Sequence, residues 1–321
     1  MAPIVPQNGA VHTAGGGLGT GIGRFQALLL AALLLFGAPA RAAPTPGLHQ
    51  GTLRHDGRIR HYLLYMPRQH GPGKLPLVVV LHGALGTPAM VMGRTGFDRL
   101  AARHGFIALF PAGSGFRPDR DLTWNAGGCC GWARANHIDD VGFIARLLDR
   151  LEATYPVDPK RVYVTGFSNG AMLAYRLACE LPGRIAAIAP VAGVLDSGRC
   201  PAGPPVSVLH IHGTDDGLVA FNGGIGRDSP LPQARPSVAQ SLAVMRWRDH
   251  CDKRPRRAVQ GALHLTRYRC ADHTAVELIA VQGGGHAWPG APLGYNRAPT
   301  DENFNASATI WRFFERFTPR R

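Results

Sequence analysis

The run Arg161-Val162-Tyr163-Val164-Thr165-Gly166, followed by Phe167-Ser168-Asn169-Gly170 and then Ala171-Met172-Leu173-Ala174, passes from a β-type apolar segment through G-x-S-x-G into a helix-type segment. A strand, a sharp turn and a helix with serine at the apex form the context of a nucleophile elbow. The turn strains the serine backbone, and the glycines two residues before and two after it let strand and helix approach closely. Such an elbow requires two partners downstream, an acid and then a histidine.

The chain supplies both in that order. A strand over Ser207–His212 runs into Gly213-Thr214-Asp215-Asp216, which brings two carboxylates to its tip. Asp216 is assigned as the acid and Asp215 as a loop cap, with Asp215 the other candidate. A strand over Ala275–Gln282 then runs into Gly283-Gly284-Gly285-His286, just before the last helical segment. In these roles His286 accepts the Ser168 proton as the hydroxyl attacks an acyl carbonyl, and Asp216 orients the imidazole. The oxyanion needs backbone donors. One is the N–H of Asn169; the other comes from the loop after the strand Leu75–His82 and is assigned to Ala84, with Leu85 as the neighbouring alternative.

Outward from the elbow, strand-like runs at Arg60–Pro67, Leu75–His82, Phe106–Pro111, Ala186–Val191 and Leu263–Cys270 join those already named. Helical spacing occurs at Ala89–Arg103, Ile138–Tyr155, Gly170–Glu180, Ser237–Arg248 and Glu302–Phe317. This alternation predicts an α/β fold with a mostly parallel central sheet, helices on both faces and a single domain. The Gly-rich stretch Ala112–Asn136 reads as a long functional loop. Trp124, Trp132 and Trp288 fall on loops expected at the catalytic edge and are assigned to substrate binding as an aromatic wall. Trp247 and Trp311 lie on helical patterns and read as packing.

With 321 residues, 45% hydrophobic and 17% charged, the chain can bury a large core and is neither disordered nor fibrous. A net charge of +14 ordinarily suggests nucleic acid. Here the basic residues are nearly all Arg, with lysine only at 74, 160 and 253, and they are scattered; the densest group, Arg254, Arg256 and Arg257, lies in a short Pro-containing loop. The charge reads as a compositional bias, and no nucleic-acid partner is expected. His210, His212, Asp215 and Asp216 do not read as a metal cluster, because alternating strand positions face opposite sides and only some of the four could converge. Gly283–Gly285 lacks the Lys and Ser/Thr of a phosphate loop. Neither metal nor cofactor is expected.

Near the start, FQALLLAALLLFGAPA (residues 25–40) follows Arg24 and precedes Ala40-Arg41-Ala42. This is the order of a secretory signal, with cleavage assigned after Ala42 and the catalytic domain spanning residues 43–321. The apolar part is shorter than a spanning helix needs, so no membrane insertion is expected once the signal is removed. All six cysteines lie beyond it, and an even number in an exported chain favours disulfides. Cys251 and Cys270, which flank the Arg-rich connection, are the first pair expected.

Taken together, the segments Trp124–Trp132 (WNAGGCCGW), Asp139–Phe143 (DDVGF), Gly166–Met172 (GFSNGAM), His212–Asp216 (HGTDD) and Gly283–Gly290 (GGGHAWPG) resemble the polyhydroxybutyrate depolymerase-like esterases. That group is similar to the feruloyl and acetylxylan esterases. The resemblance runs over residues 50–317 and implies an α/β-hydrolase fold, secretion and no cofactor. It implies Ser168, Asp216 and His286 as catalytic residues and Ala84 and Asn169 as oxyanion donors. Where polymer-degrading members often carry Cys after the His-Gly pair, this chain has Ala84. The expected function is a secreted serine carboxylic-ester hydrolase acting on hydroxyalkanoate esters or on feruloyl or acetyl esters of plant polysaccharide. A secreted serine peptidase using the same three residues is the alternative.

Overall fold

The run Leu75–Leu81 shows why the sheet is covered on both sides. Leu77, Val79 and Leu81 enter one hydrophobic cluster while Val78 and Val80 enter a second, and all five are fully buried. Side chains alternate across a strand, so a continuous apolar run belongs to a strand with no solvated face. The computed structural model describes residues 45–68, 73–198, 200–292 and 303–317. The expected signal segment, residues 1–42, lies outside the described residues.

In chain order the strands are β1 Gly47–His55, β2 Arg58–Met66, β3 Leu75–Leu81, β4 Ile107–Pro111, β5 Val157–Phe167, β6 Ala187–Val191, β7 Ser207–Gly213, β8 Arg256–Gln260, β9 Leu263–Arg269 and β10 Ala275–Val281. They form one sheet in the order β1-β2-β4-β3-β5-β6-β7-β10-β9-β8. From β4 to β10 every neighbouring pair is parallel. Antiparallel strands extend both ends.

The helices are α1 Pro88–Thr95, α2 Phe97–His104, α3 Gly131–Ala135, α4 Asp140–Thr154, α5 Asn169–Glu180, α6 Val238–Arg248 and α7 Ala306–Phe314. Buried residues of α4, α5 and α6 share the cluster of Leu77 and Val79. Those of α1, α2 and α7 share the cluster of Val78 and Val80. The sheet is therefore sandwiched, with three of its principal helices on each face.

Several boundaries depart from the sequence expectation for physical reasons. The helical run at 89–103 is two helices, because Gly96 adopts a left-handed conformation (φ 63°) and its N–H closes α1 on the Met92 carbonyl at 2.8 Å. The last helix starts later, where the Asn305 side chain caps it. β1 is an additional strand, joined to β2 by a two-residue Asp56-Gly57 turn with positive φ at both positions, the geometry of a type I′ hairpin. The Arg256-Arg257 segment, read as loop, is the edge strand β8, with all five residues exposed.

The cysteines pair as Cys129–Cys130, Cys179–Cys200 and Cys251–Cys270. Cys251 and Cys270 stand at the two feet of the β8–β9 hairpin, so their bond closes a loop 19 residues apart. Closing a loop of that length stabilises the fold by about 3 kcal/mol. The double variant Cys251→Ser/Cys270→Ser should lower the urea unfolding free energy by that amount; an unchanged midpoint would show that the hairpin is held by its strand pairing alone.

Candidate active site

β5 ends at Phe167 and α5 begins at Asn169, which leaves Ser168 alone at the apex with φ 55° and ψ −118°. A non-glycine residue held there costs on the order of 1–3 kcal/mol. The conformation is fixed from both sides: Ser168 N–H donates to the Val191 carbonyl at 2.9 Å, and the Ser168 carbonyl accepts from Met172 N–H at 3.1 Å. Gly170 makes the approach possible. A Cβ at Gly170 would lie 2.5 Å from the carbonyl oxygens of both Leu81 and His82, and one at Gly166 would lie 2.6 Å from the Gly170 backbone. The first turn of α5 therefore rides directly on the end of β3.

Three side chains from three strand ends meet at this point. Ser168 Oγ is 3.0 Å from His286 Nε2, and His286 Nδ1 is 2.8 Å from Asp216 Oδ2. Asp216 Oδ1 accepts from the N–H groups of Leu218 (2.9 Å) and Val219 (2.8 Å). Burial pushes the Asp216 carboxyl up, but hydrogen bonds from His212 and His286 outweigh it and hold the group well below the ordinary carboxylate range. Asp215, the other candidate acid, is exposed and pairs with Arg227 at 2.6 Å. Among the described residues, no group of three or more His, Cys, Asp or Glu is arranged to hold a metal.

The segment that carries Ala84 is shaped by His82. Its Nδ1 bonds the Gly83 carbonyl at 2.8 Å, and its Nε2 accepts the Gly113 N–H at 2.9 Å. One ring nitrogen must donate and the other accept, so the ring is neutral. Burial lowers its pKa to about 4, against the opposing bond to Gly83. The turn Gly83–Gly86 that follows, closed by Gly86 N–H on the Gly83 carbonyl at 3.1 Å, carries Leu85 at φ 62°. Ala84, Leu85, Asn169, Ser168 and His286 all line one cavity of about 600 Å³, whose other walls are Met90, Met172, Cys129–Gly131, Leu218-Val219 and Pro230-Leu231.

The tryptophans require a correction. Trp124 and Trp288 are fully buried and none of the three lines the cavity. Trp288 donates its indole N–H to Ser307 Oγ at 2.9 Å and packs among the α7 side. Trp132 lies under Arg58, with 5.1 Å from guanidinium to ring. An indole goes inside when its N–H finds a buried acceptor, and for Trp124 that acceptor is the His82 carbonyl at 2.9 Å. Asn169 grips the Trp124 backbone on both sides, Oδ1 accepting its N–H at 2.7 Å and Nδ2 donating to its carbonyl at 3.0 Å. Trp124 is thus the joint between the Gly83–Gly86 turn and the elbow.

Residues outside the sequence assignment hold the loop 112–136 in place. Arg60 reaches from β2 to the Ala112 carbonyl (3.0 Å) and to Asp140 Oδ1 (2.7 Å), whose Oδ2 accepts the Asn125 N–H at 2.7 Å. Burial raises the Asp140 carboxyl, and Arg60 opposes it. Asp139 caps α4 through the Gly142 N–H at 2.8 Å. The DDVGF segment carried the signal: its two acids do different work, one capping and one clamping.

Two outcomes follow. An unfolded His82 takes a proton near pH 6.5 but the folded one only near pH 4, so between those values the unfolded chain binds more protons. Its contribution to stability is full above about pH 6.5 and lost as the pH falls towards 4, a drop on the order of 3 kcal/mol. Urea midpoints measured from pH 7 to pH 4 should fall more steeply for the wild type than for His82→Gln. Trp124→Phe strands the buried His82 carbonyl and should cost about 1–3 kcal/mol in the same assay; no loss would mean that the joint does not need this bond.

Residues 60–220 match the family described as Esterase PHB depolymerase. The chain is 32% identical over 292 residues to NocK of Nocardia uniformis subsp. tsuyamanensis, an esterase by name, covering 80% of this chain and 79% of the relative. It is 28% identical over 235 residues to feruloyl esterase B of Piromyces equi, covering 70% of this chain but only 42% of that longer protein. Among solved structures, an acetyl xylan esterase from Aspergillus awamori superposes with a TM-score of 0.61 at 18% identity, covering 84% of this chain and 99% of the other. At that identity the likeness speaks for the fold, which is that of the α/β-hydrolases. The chain is an esterase belonging to the PHB depolymerase esterase family.

Proposed function

We propose that Ser168, His286 and Asp216 hydrolyse a carboxylic ester through an acyl-enzyme. The observation that carries this reading is the unbroken bond series Ser168 Oγ, His286, Asp216 at the wall of the cavity. His286 Nε2 takes the Ser168 proton as Oγ attacks the carbonyl, and Asp216 stabilises the imidazolium. The oxyanion is received by the backbone N–H groups of Asn169 and Ala84. Asn169 is the first residue of α5, where an N–H has no acceptor within its own helix, and Ala84 lines the same cavity. His286 then returns the proton to the departing alcohol, and water repeats the sequence on the acyl-enzyme.

The substrate in this reading is a small or oligomeric ester, either a short hydroxyalkanoate or a feruloyl or acetyl ester of plant polysaccharide. Support comes from a concave, largely apolar lining that includes Met90, Phe167, Met172 and Leu231, which suits one acyl chain or aromatic ring better than a flat polymer surface. Relatives named feruloyl esterase C of Emericella nidulans and poly(3-hydroxyalkanoate) depolymerase C of Paucimonas lemoignei agree with either acyl group. The enzyme acts outside the cell, a reading supported by the signal-like residues 25–42 and three cysteine pairs. No helix among the described residues is long and apolar enough to cross a membrane.

Initial rates on p-nitrophenyl acetate through octanoate, methyl ferulate, hydroxybutyrate oligomers and a peptide anilide test the reading. Ser168→Ala should remain folded and lose activity by about 10³-fold or more on the preferred ester. A retained rate would remove Ser168 from the chemistry, and a preference for the anilide would make the protein a peptidase.

A further inference from the structure

Beyond Asp216 in the bond series that starts at Ser168, three buried polar rings are bonded in succession. Tyr175 Oη on α5 is 2.7 Å from His210 Nδ1, and His210 Nε2 is 3.0 Å from His212 Nδ1. His212 Nε2 is 2.8 Å from the Val219 carbonyl and 3.2 Å from Asp216 Oδ2. His210 and His212 are two apart on β7, so they share one face, and their rings stack nearly parallel, 5.2 Å between centroids. All three are at most 1% exposed. Polar groups this deep are costly unless every one is bonded.

The proton positions follow from what each end can accept. The Val219 carbonyl has no proton to give, and Asp216 is ionised, so His212 Nε2 carries the hydrogen. Burial and the neighbouring His212 hold His210 well below the ordinary imidazole range, and burial pushes the Tyr175 hydroxyl up. In the form with one proton on each ring, His212 Nδ1 accepts from His210 Nε2–H, and His210 Nδ1 accepts from Tyr175 O–H. In that form every nitrogen is satisfied, and each group donates towards Asp216.

We propose that Tyr175, His210 and His212 form a neutral, one-directional donor relay that positions Asp216 and shares its negative charge, making them positioning residues for the esterase reaction. The inference rests on the assignment of Asp216 and His286 under the proposed function. Asp216 Oδ1 already takes two backbone N–H groups and Oδ2 takes His286; His212 supplies the fourth donor. The same N–H holds the Val219 carbonyl, so one imidazole pins both ends of the turn that presents the carboxylate. Other ionisable groups nearby include Arg227, engaged by Asp215 and Asp228, Arg94, whose guanidinium lies 4.4 Å from the Phe167 ring that packs on His286, and Arg235, which lines the cavity and faces Asp196 at 3.7 Å.

The test compares His212→Leu, His212→Gln and Tyr175→Phe with wild type for kcat, KM, the pH profile of kcat/KM and the down-field proton resonance of the His286 Nδ1–H, identified by its loss in His286→Ala. Without the fourth donor the carboxylate charge bears more fully on His286. His212→Leu should therefore lower kcat by about 10- to 100-fold with little change in KM, move the acid limb to higher pH and shift the resonance. Gln, whose amide can donate from the position of Nε2, should restore most of kcat. Tyr175→Phe removes only the far hydroxyl and should move the limb and resonance the same way by less; it carries the test if His212→Leu does not fold. Folded Tyr175→Phe and His212 variants that keep the wild-type limb and resonance, losing only stability, would overturn the relay. The resonance reads the His286–Asp216 bond whether or not Ser168 is the nucleophile, so a failed relay and a failed esterase mechanism are told apart.

Discussion

The backbone of Ser168, turned to φ 55°, is the constraint on which the rest of the site depends. A serine does not hold that conformation unaided. It is held because α5 is pressed against the end of β3, with no room for a side chain at Gly170, and because the Ser168 amide is tied across to β6. The same contact that strains the serine brings the β3 carbonyls, the Gly83–Gly86 turn and the first N–H groups of α5 to one spot. Strain and juxtaposition are two results of one packing event.

Around that spot the protein uses buried polar groups as fasteners rather than as reactants. His82, Asn169, Arg60 and Asp140 each bond main-chain atoms of the segment 112–136. A segment so Gly-rich would lose much conformational freedom in adopting one path, and these bonds give it a single path to adopt. One wall of the cavity is consequently part of the scaffold. Another part of the lining, Leu218, Val219 and Ser229–Leu231, belongs to the segment that follows Asp216 and is tied to it through the Leu218 and Val219 amides.

What the sequence discloses, and what it conceals, separates by range. The elbow, the order serine, acid, histidine, and the parallel centre of the sheet are legible because each depends on local pattern: an apolar run, a turn, a carboxylate at a strand tip. β1 and β8 are harder to see because an edge strand has few buried residues to mark it; β1 alternates and contains two glycines, and β8 is wholly exposed. The Asp56-Gly57 hairpin signal was nonetheless present. Trp124 and Trp288 look like cavity walls in sequence because they sit in loops near the site. Their burial depends on distant acceptors, the His82 carbonyl for Trp124 and Ser307 on α7 for Trp288. The shared face of His210 and His212 is simple strand periodicity, but their meeting with Tyr175 requires α5 to be laid over β7.

β8 also gives the basic composition a use. A fully exposed edge strand is an open row of hydrogen-bonding groups, able to recruit the same strand of another molecule and extend the sheet indefinitely. Here the edge carries Arg256 and Arg257. Two copies approaching edge to edge would have to bring these guanidinium groups together, each on a chain of net charge +14. Like charge at the rim opposes continuation of the sheet beyond β8 into a second copy.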